Sequence, residues 1–245
     1  MFHGLLLQDI SVGSGEKFFV RGVSLVVPAG ELHILVGPNG AGKSSLLKAL
    51  AGHPDYAVSA GEFFLDGENL LEMTPEERSR CGLFLAFQSP VPLPGVALGR
   101  MLQVARQERQ PKGAPIDVRA FYGELCNAME SLGMERSWAT RFVNDGISGG
   151  ESKRCELLQI LLLHPKYLLL DELDSGLDMD AVNLVAETLE KLRRAGTGIL
   201  CVTHRQSLLQ TLNPDRIHIL REGRLLCSGG MELAEELHVR GFQGF

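Results

Sequence analysis

The chain has 245 residues, 44% hydrophobic and 22% charged, the composition of a folded protein with room for one large α/β domain carrying an insertion. Lys and Arg number 24 against 30 Asp and Glu, and the net charge of −6 argues against direct nucleic-acid binding, which usually leaves a basic footprint. Five scattered cysteines (Cys81, Cys126, Cys155, Cys201, Cys227) form no CxxC and no Cys/His cluster, which argues against a disulfide framework or a thiolate metal site and fits a cytoplasmic protein with small core thiols.

The opening MFHGLLLQDI has neither a basic stretch nor a long apolar core, so no signal peptide is expected. LLLQDISV, VSLVV, LHILV and EFFLDG read as strands, partly antiparallel because the turns between them are short. LHILV runs into a glycine-rich loop and then SSLLKALAG, a helix that should end at Gly52. In TPEERSR, Thr74 is expected to cap a helix with Pro75 in its first position and Glu77 closing a capping box. The strand GLFLAFQ (82–88) follows. SPVPLPGV, with its three prolines, then reads as an ordered loop that is neither helix nor central strand.

Helical patterns dominate from there to residue 163, broken by the polar RQPKGAP. ELLQILLLHPKYLLLDEL is interrupted at His164, Pro165 and Lys166, so it reads as helix, turn and buried strand, too short to insert into a membrane. Alternation then resumes with a helix from Asp180 to Ala195 and the strands GILCVTH, RIHIL and GRLLCSG. The expected fold is α/β: a largely parallel mixed core sheet, an antiparallel β-subdomain, and a helical subdomain inserted at 89–164 into a core formed by 1–88 and 165–245.

GPNGAGKSS (37–45) fits the P-loop pattern between a strand and a helix, the context it requires. Gly37, Pro38, Asn39, Gly40, Ala41, Gly42, Lys43, Ser44 and Ser45 would wrap the phosphates, with glycine letting the backbone approach. Lys43 would reach the β- and γ-phosphates, and the Ser44 hydroxyl would hold Mg²⁺. YLLLDE (167–172) ends a buried strand in two acids: Asp171 for Mg²⁺ and Glu172 to deprotonate the attacking water. His204 and Gln88 each end a strand on the side where ligands of open α/β sheets collect. His204 reads as a γ-phosphate contact. For Gln88, contact with Mg²⁺ or the nucleophilic water and no contact at all are equally compatible with the residues alone. A second anion site opens the helix at NDGISGGESKR, where Ser148, Gly149, Gly150 and Glu151 meet the positive end of the dipole.

P-loop, Gln88, SGGE, LLLDE, DSGLD and His204 in this order resemble the nucleotide-binding domain of ABC ATPases, with Walker A, Q-loop, signature, Walker B, D-loop and switch histidine. The resemblance implies ATP and Mg²⁺ as cofactors, ATP hydrolysis, and a head-to-tail homodimer. Each ATP would lie between the P-loop of one subunit and the SGGE helix start of the other, which accounts for two anion sites in one chain. RFVNDGISGGESKRCELLQ, LLLDELDSGLDMDAV, FQSPVPLPGV and LAEELHVRGF are similar to the SufC branch, which implies SufB/SufD-type scaffold partners in Fe–S cluster assembly. The ATPase subunit of a membrane transporter is the alternative. Ser152 stands where that branch commonly has Lys, and Arg205 where it has an aromatic. Ser14 stands where many ABC domains stack adenine, and nearby Phe18 and Phe19 are expected to alternate between core and surface.

Overall fold

The structure, a computed structural model, describes residues 3–15, 17–87, 91–111, 114–172, 179–203, 209 and 211–244. In chain order the first elements are strands β1 (Gly4–Ser14), β2 (Lys17–Pro28) and β3 (Leu32–Val36), helix α1 (Lys43–Ala51), strands β4 (Ala57–Leu65) and β5 (Glu68–Asn69), helix α2 (Pro75–Cys81) and strand β6 (Leu83–Ala86). Strand β7 (Leu93–Ala97), helices α3 (Leu98–Glu108) and α4 (Val118–Ser131), strand β8 (Phe142–Val143) and helix α5 (Gly149–Leu163) follow. The chain closes with β9 (Tyr167–Asp171), α6 (Met179–Arg194), β10 (Gly198–Val202), β11 (Arg216–Arg221), β12 (Arg224–Gly229) and α7 (Met231–Arg240).

Two sheets carry the first compact unit, which comprises Met1–Gln88, Lys166–Asp174 and Ala186–Phe245. One is antiparallel, in the order β2-β1-β4-β5. The other runs β12-β11-β3-β10-β9-β6, parallel throughout except for the edge strand β12. Strands β3, β9 and β10 are buried at every position, as central parallel strands must be, and their unbroken apolar runs are the reason. Leu46, Leu47 and Leu50 of α1 pack with Leu35, Leu169, Leu200 and Val202 of the parallel sheet and with Leu5, Leu7 and Phe63 of the antiparallel one. Burying each such side chain contributes about 1.5–3 kcal/mol, so this leucine face holds α1 between the two sheets.

The expected caps are present. Gly52 ends α1 in the left-handed region at φ 83°, and Thr74 with Glu77 forms the capping box of α2. Arg78, buried on α2, donates to the carbonyls of Ala49 and Leu50 at the end of α1 and to those of Leu71 and Met73. A planar five-donor cation thereby satisfies helix-end acceptors and opposes the negative end of the α1 dipole.

The second unit comprises Ser89–Pro165 and Ser175–Val185. Leu98 and Leu102 of α3, Phe121, Leu125 and Met129 of α4, and Trp138 supply its buried side chains together with α5. Arg106 and Arg109 of this unit donate to the carbonyls of Leu162 and Leu163, closing the end of α5. One reading needs correction, and one element was missed. Leu93–Ala97, inside the segment read as loop, is a strand paired with Phe142–Val143. A two-stranded sheet has only edges, so Pro94 costs no ladder bond there. Helix α7 was not anticipated, because MELAEELHVR lacks a strong apolar periodicity. Of the five thiols only Cys155 and Cys201 are fully buried; the other three are half-buried.

Candidate functional site

The glycine-rich loop between β3 and α1 is fixed from within. A Cβ on Gly37 would lie 2.0 Å from the carbonyl oxygen of Leu220, and one on Gly42 would lie 2.4 Å from that of Phe19. Gly42 is also left-handed at φ 101°. The Ala41 amide donates to the Pro38 carbonyl at 3.1 Å, and the Ala41 carbonyl accepts from Gly223 at 3.1 Å. Gly37, Pro38 and Ala41 thus shape the loop, while Asn39, Gly40, Gly42, Lys43, Ser44 and Ser45 line an open cleft of about 780 Å³. No side chain caps the start of α1 and no acid occupies its first turn. Its leading N–H groups therefore point at a ready anion site.

Lys43 is 5% exposed, and its Nζ donates to the carbonyls of Gly37 at 2.8 Å and Pro38 at 3.1 Å. Burial holds its pKa below the ordinary lysine value, against the opposing pull of Glu172 and then Asp171. Ser44 Oγ donates to Asp171 Oδ1 at 2.8 Å, joining the start of α1 to the end of β9. Asp171 is 1% exposed, and burial raises its pKa; the Ser44 hydrogen bond opposes that rise and Glu172 adds to it. Its Oδ2 finds no hydrogen-bond partner among the described residues. A buried carboxylate oxygen left this way is costly, and a cation bound there would remove the cost. The donor set of hydroxyl and carboxylate is the hard oxygen chemistry that Mg²⁺ prefers, so Ser44 and Asp171 fit it.

Glu172, next in sequence to Asp171, lines the same cleft. Its φ of +52° places it in the left-handed region, with its amide on the Val202 carbonyl at 3.0 Å. A non-glycine residue there stores about 1–3 kcal/mol of strain, the kind of outlier that collects at functional sites. The turn diverts the chain just past the buried β9 and puts the carboxylate in the cleft.

Sequence reasoning missed one wall of this cleft. Lys17, Phe18, Phe19 and Arg21 of β2, with Glu222 and Gly223, complete the lining. Phe18 is 52% exposed, with the Arg21 guanidinium 5.8 Å from its ring centre. Phe19 is half-buried against the core, with the Lys17 ammonium 5.2 Å from its ring centre. The alternation of the two rings was readable; that both would reach the phosphate loop was not, because β2 is tied there by the Arg21 amide on the carbonyl of Gly223, far along the chain, at 2.7 Å.

The signature segment is a separate feature of the second unit. Ser148 caps α5, and its capping box with Glu151 is complete. Gly149 and Gly150 are exposed, with no atom within 4 Å of where a Cβ would stand, so an approaching group meets bare backbone. Gln88, His204 and the Asp174-Ser175-Gly176 stretch lie outside the described residues. Among the described residues no group of His, Cys, Asp and Glu side chains forms a ready metal cluster.

Residues 20–175 match the model of the ABC transporter family. The chain is 42% identical over 238 residues to Vegetative protein 296 of Bacillus subtilis, covering 97% of this chain and 91% of that one. It is 44% identical over 225 residues to a probable ATP-dependent transporter, ycf16, of Cyanophora paradoxa, covering 91% and 87%. Among solved structures it resembles an ATP-binding subunit of an ABC transporter, with a TM-score of 0.82, 25% identity and coverage of 97% and 94%. It also resembles a dimeric bacterial ABC transporter cassette, with a TM-score of 0.80, 19% identity and coverage of 93% and 98%. With the P-loop and the acid-ended strand joined by the Ser44–Asp171 bond, these likenesses place the chain in the ABC transporter family, as one of its ATPases.

Proposed function

We propose that the chain is a SufC-type ATPase that closes head to tail on a second copy around two ATP molecules and uses that closure to drive Fe–S cluster assembly on a SufB/SufD-type scaffold. The observation that carries the ATP chemistry is the Ser44–Asp171 bond beside an orphaned carboxylate oxygen, with Lys43 on the adjoining loop. Lys43 exchanges its two loop carbonyls for phosphate oxygens, and the free N–H groups of α1 take the rest of the anion. Ser44 and Asp171, with Gln88, would hold Mg²⁺, which neutralises phosphate charge when bound. Glu172 accepts the proton of the attacking water, and His204 contacts the γ-phosphate. Phe18 offers the exposed ring on which adenine stacks, in place of an aromatic at Ser14. Ser148, Gly149, Gly150 and Glu151 form the half-site offered to the other subunit's ATP.

The SufC assignment rests on sequence: RFVNDGISGGESKRCELLQ, DSGLDMDAV and FQSPVPLPGV. The transporter reading stays in view because relatives 40% identical over 240 residues, in Streptococcus pyogenes, are named probable ABC transporter ATP-binding proteins. No described helix is long and apolar enough to cross a membrane. A tagged-chain pull-down from native extract separates the two. Recovery of SufB/SufD-like scaffold proteins is the expected result; recovery of a membrane permease overturns the assignment.

A further inference from the structure

The capping box at the start of α5 ties up the hydroxyl that the dimer needs. Glu151 Oε2 accepts from the Ser148 amide at 2.8 Å and from Ser148 Oγ at 2.7 Å, while the Glu151 amide donates to Ser148 Oγ at 3.4 Å. An ionised carboxylate can only accept, so the single Ser148 hydroxyl proton lies on the line to Glu151. What Ser148 presents outward is lone pairs, and the neighbouring carboxylate adds a negative charge. Both repel a phosphate. Glu151 stays ionised, because its bonds to Ser148 and the nearby Arg141 and Arg154 hold its pKa below the ordinary value.

A way out is built beside it. The Arg141 guanidinium lies 4.3 Å from the Trp138 ring centre, so the indole face holds it in place. Its Nη1 is 4.0 Å from Glu151 Oε1, too long for a hydrogen bond and within one side-chain swing of becoming one. An open cleft of about 230 Å³ lined by Trp138, Arg141, Glu151 and Arg154 leaves room for that swing.

We propose that Glu151 is a latch on Ser148 and that Arg141 is the positioning residue that draws it off, freeing the hydroxyl for the other subunit's γ-phosphate. This rests on the head-to-tail reading above and adds regulation to the same site. Closing the dimer exchanges the Ser148–Glu151 bond for Ser148–phosphate and Glu151–Arg141 bonds, so the carboxylate charge is neutralised as the phosphate arrives. Gln at 151 keeps the capping geometry but holds the hydroxyl by a neutral bond, roughly half as strong as the charge-assisted one.

The test is a double-mutant cycle in a Glu172→Gln background that retains dimers, reading the ATP concentration for half-maximal dimer by light scattering. Glu151→Gln should lower it about fivefold, the difference expected between a charged and a neutral hydrogen bond. Arg141→Ala should raise it by a similar factor, and in the Glu151→Gln background Arg141→Ala should have no further effect. If Arg141→Ala costs the same with and without Glu151, Arg141 merely supports the fold and the latch is refuted. A Glu151→Gln midpoint equal to the parent's also refutes it. If the parent forms no ATP-dependent dimer, the head-to-tail reading itself falls and takes the latch with it.

Discussion

Replacing Glu172 by Gln separates chemistry from folding more cleanly than any other change in this cleft. Gln is nearly the same size, keeps the amide on the Val202 carbonyl, and meets the same strain at φ +52°. Folding stability should therefore move by no more than about 0.5 kcal/mol, as for a substitution that leaves no cavity and no new orphan. Binding should hold or tighten, because the carboxylate that leaves faces the space into which phosphate charge must come. Two neighbours respond in opposite senses. Lys43 loses the larger of the two attractions that support its charge, and Asp171 loses a repulsion that raises its pKa. The step that suffers is proton removal from water. A general base is worth about 10²- to 10⁴-fold, or roughly 2.7–5.5 kcal/mol of barrier. Steady-state phosphate release should fall at least tenfold while equilibrium binding of ATP persists and dimers accumulate in gel filtration. Turnover within twofold of wild type would remove Glu172 as the base. A parallel loss of ATP binding would show that its place is structural.

Two further outcomes follow from the geometry. Gly37→Ala drives a methyl group to 2.0 Å from a backbone carbonyl that cannot step aside, whereas the same change at Gly40 meets no atom within 4 Å and only the strain of its φ of +81°. Overpacking of this kind costs about 1–3 kcal/mol, so Gly37→Ala should melt about 2–12 °C below wild type and below Gly40→Ala; equal melting temperatures would refute the close approach. The second concerns a buried chain of hydrogen bonds, in which His218 Nε2 lies 3.0 Å from His33 Nδ1, His218 Nδ1 lies 2.7 Å from Ser228 Oγ, and His33 Nε2 lies 2.9 Å from Glu31. Neutral tautomers satisfy every link if Ser228 donates to His218, His218 to His33 and His33 to Glu31. Burial lowers both pKa values, that of His218 to about 3, so below pH ~6.5 the unfolded chain binds protons that the folded chain refuses. Stability should be complete above that pH and fall as pH drops toward 3, by about 1.4 kcal/mol per pH unit for each histidine that titrates only when unfolded. Denaturant melts at pH 7 and pH 5 should show the loss in wild type and a smaller one in His218→Gln; the same loss in both would refute the assignment.

What could be read from the sequence was what is decided within one turn of chain. The P-loop from Gly37 to Ser45, the capping box at Thr74, the helix start at Ser148 and the stop at Gly52 depend on neighbours three or four residues away. The buried strands Leu32–Val36, Tyr167–Asp171 and Gly198–Val202 were legible because each apolar run is short and follows a glycine or proline turn. What escaped was decided across the chain. The aromatic wall depends on the Arg21 amide meeting the carbonyl of Gly223, far along the chain, at 2.7 Å. Strand β7 depends on a partner some fifty residues on, and the histidine pair joins residues 185 apart in sequence. The left-handed turn at Glu172 was invisible for another reason: nothing in DE distinguishes a strained corner from a relaxed one, and only the surrounding strands enforce it.

The same rule explains a property shared by the nucleotide cleft and the signature segment. A buried or half-buried polar group left unpaired is expensive, so a stable free protein must satisfy its anion-binding groups before any anion arrives. The cleft does so from within, with Lys43 on the carbonyls of Gly37 and Pro38 and Ser44 on Asp171, while the exposed Ser148, which water could satisfy, is held by Glu151. In the proposed mechanism ATP binding and closure are exchanges of one bond for another, and each contributes only the difference between the two. Strengthening the phosphate contact and weakening the internal one become equivalent ways to tighten the complex, while strengthening the internal bond stabilises the resting chain at the expense of affinity. Asp171 Oδ2 is the exception in this cleft, a buried acceptor with no hydrogen-bond partner among the described residues. By this reasoning Mg²⁺ is the one arrival that satisfies a group instead of displacing a partner. It should therefore stabilise the fold even without nucleotide, more strongly than ATP alone does, and the gain should vanish in Asp171→Asn.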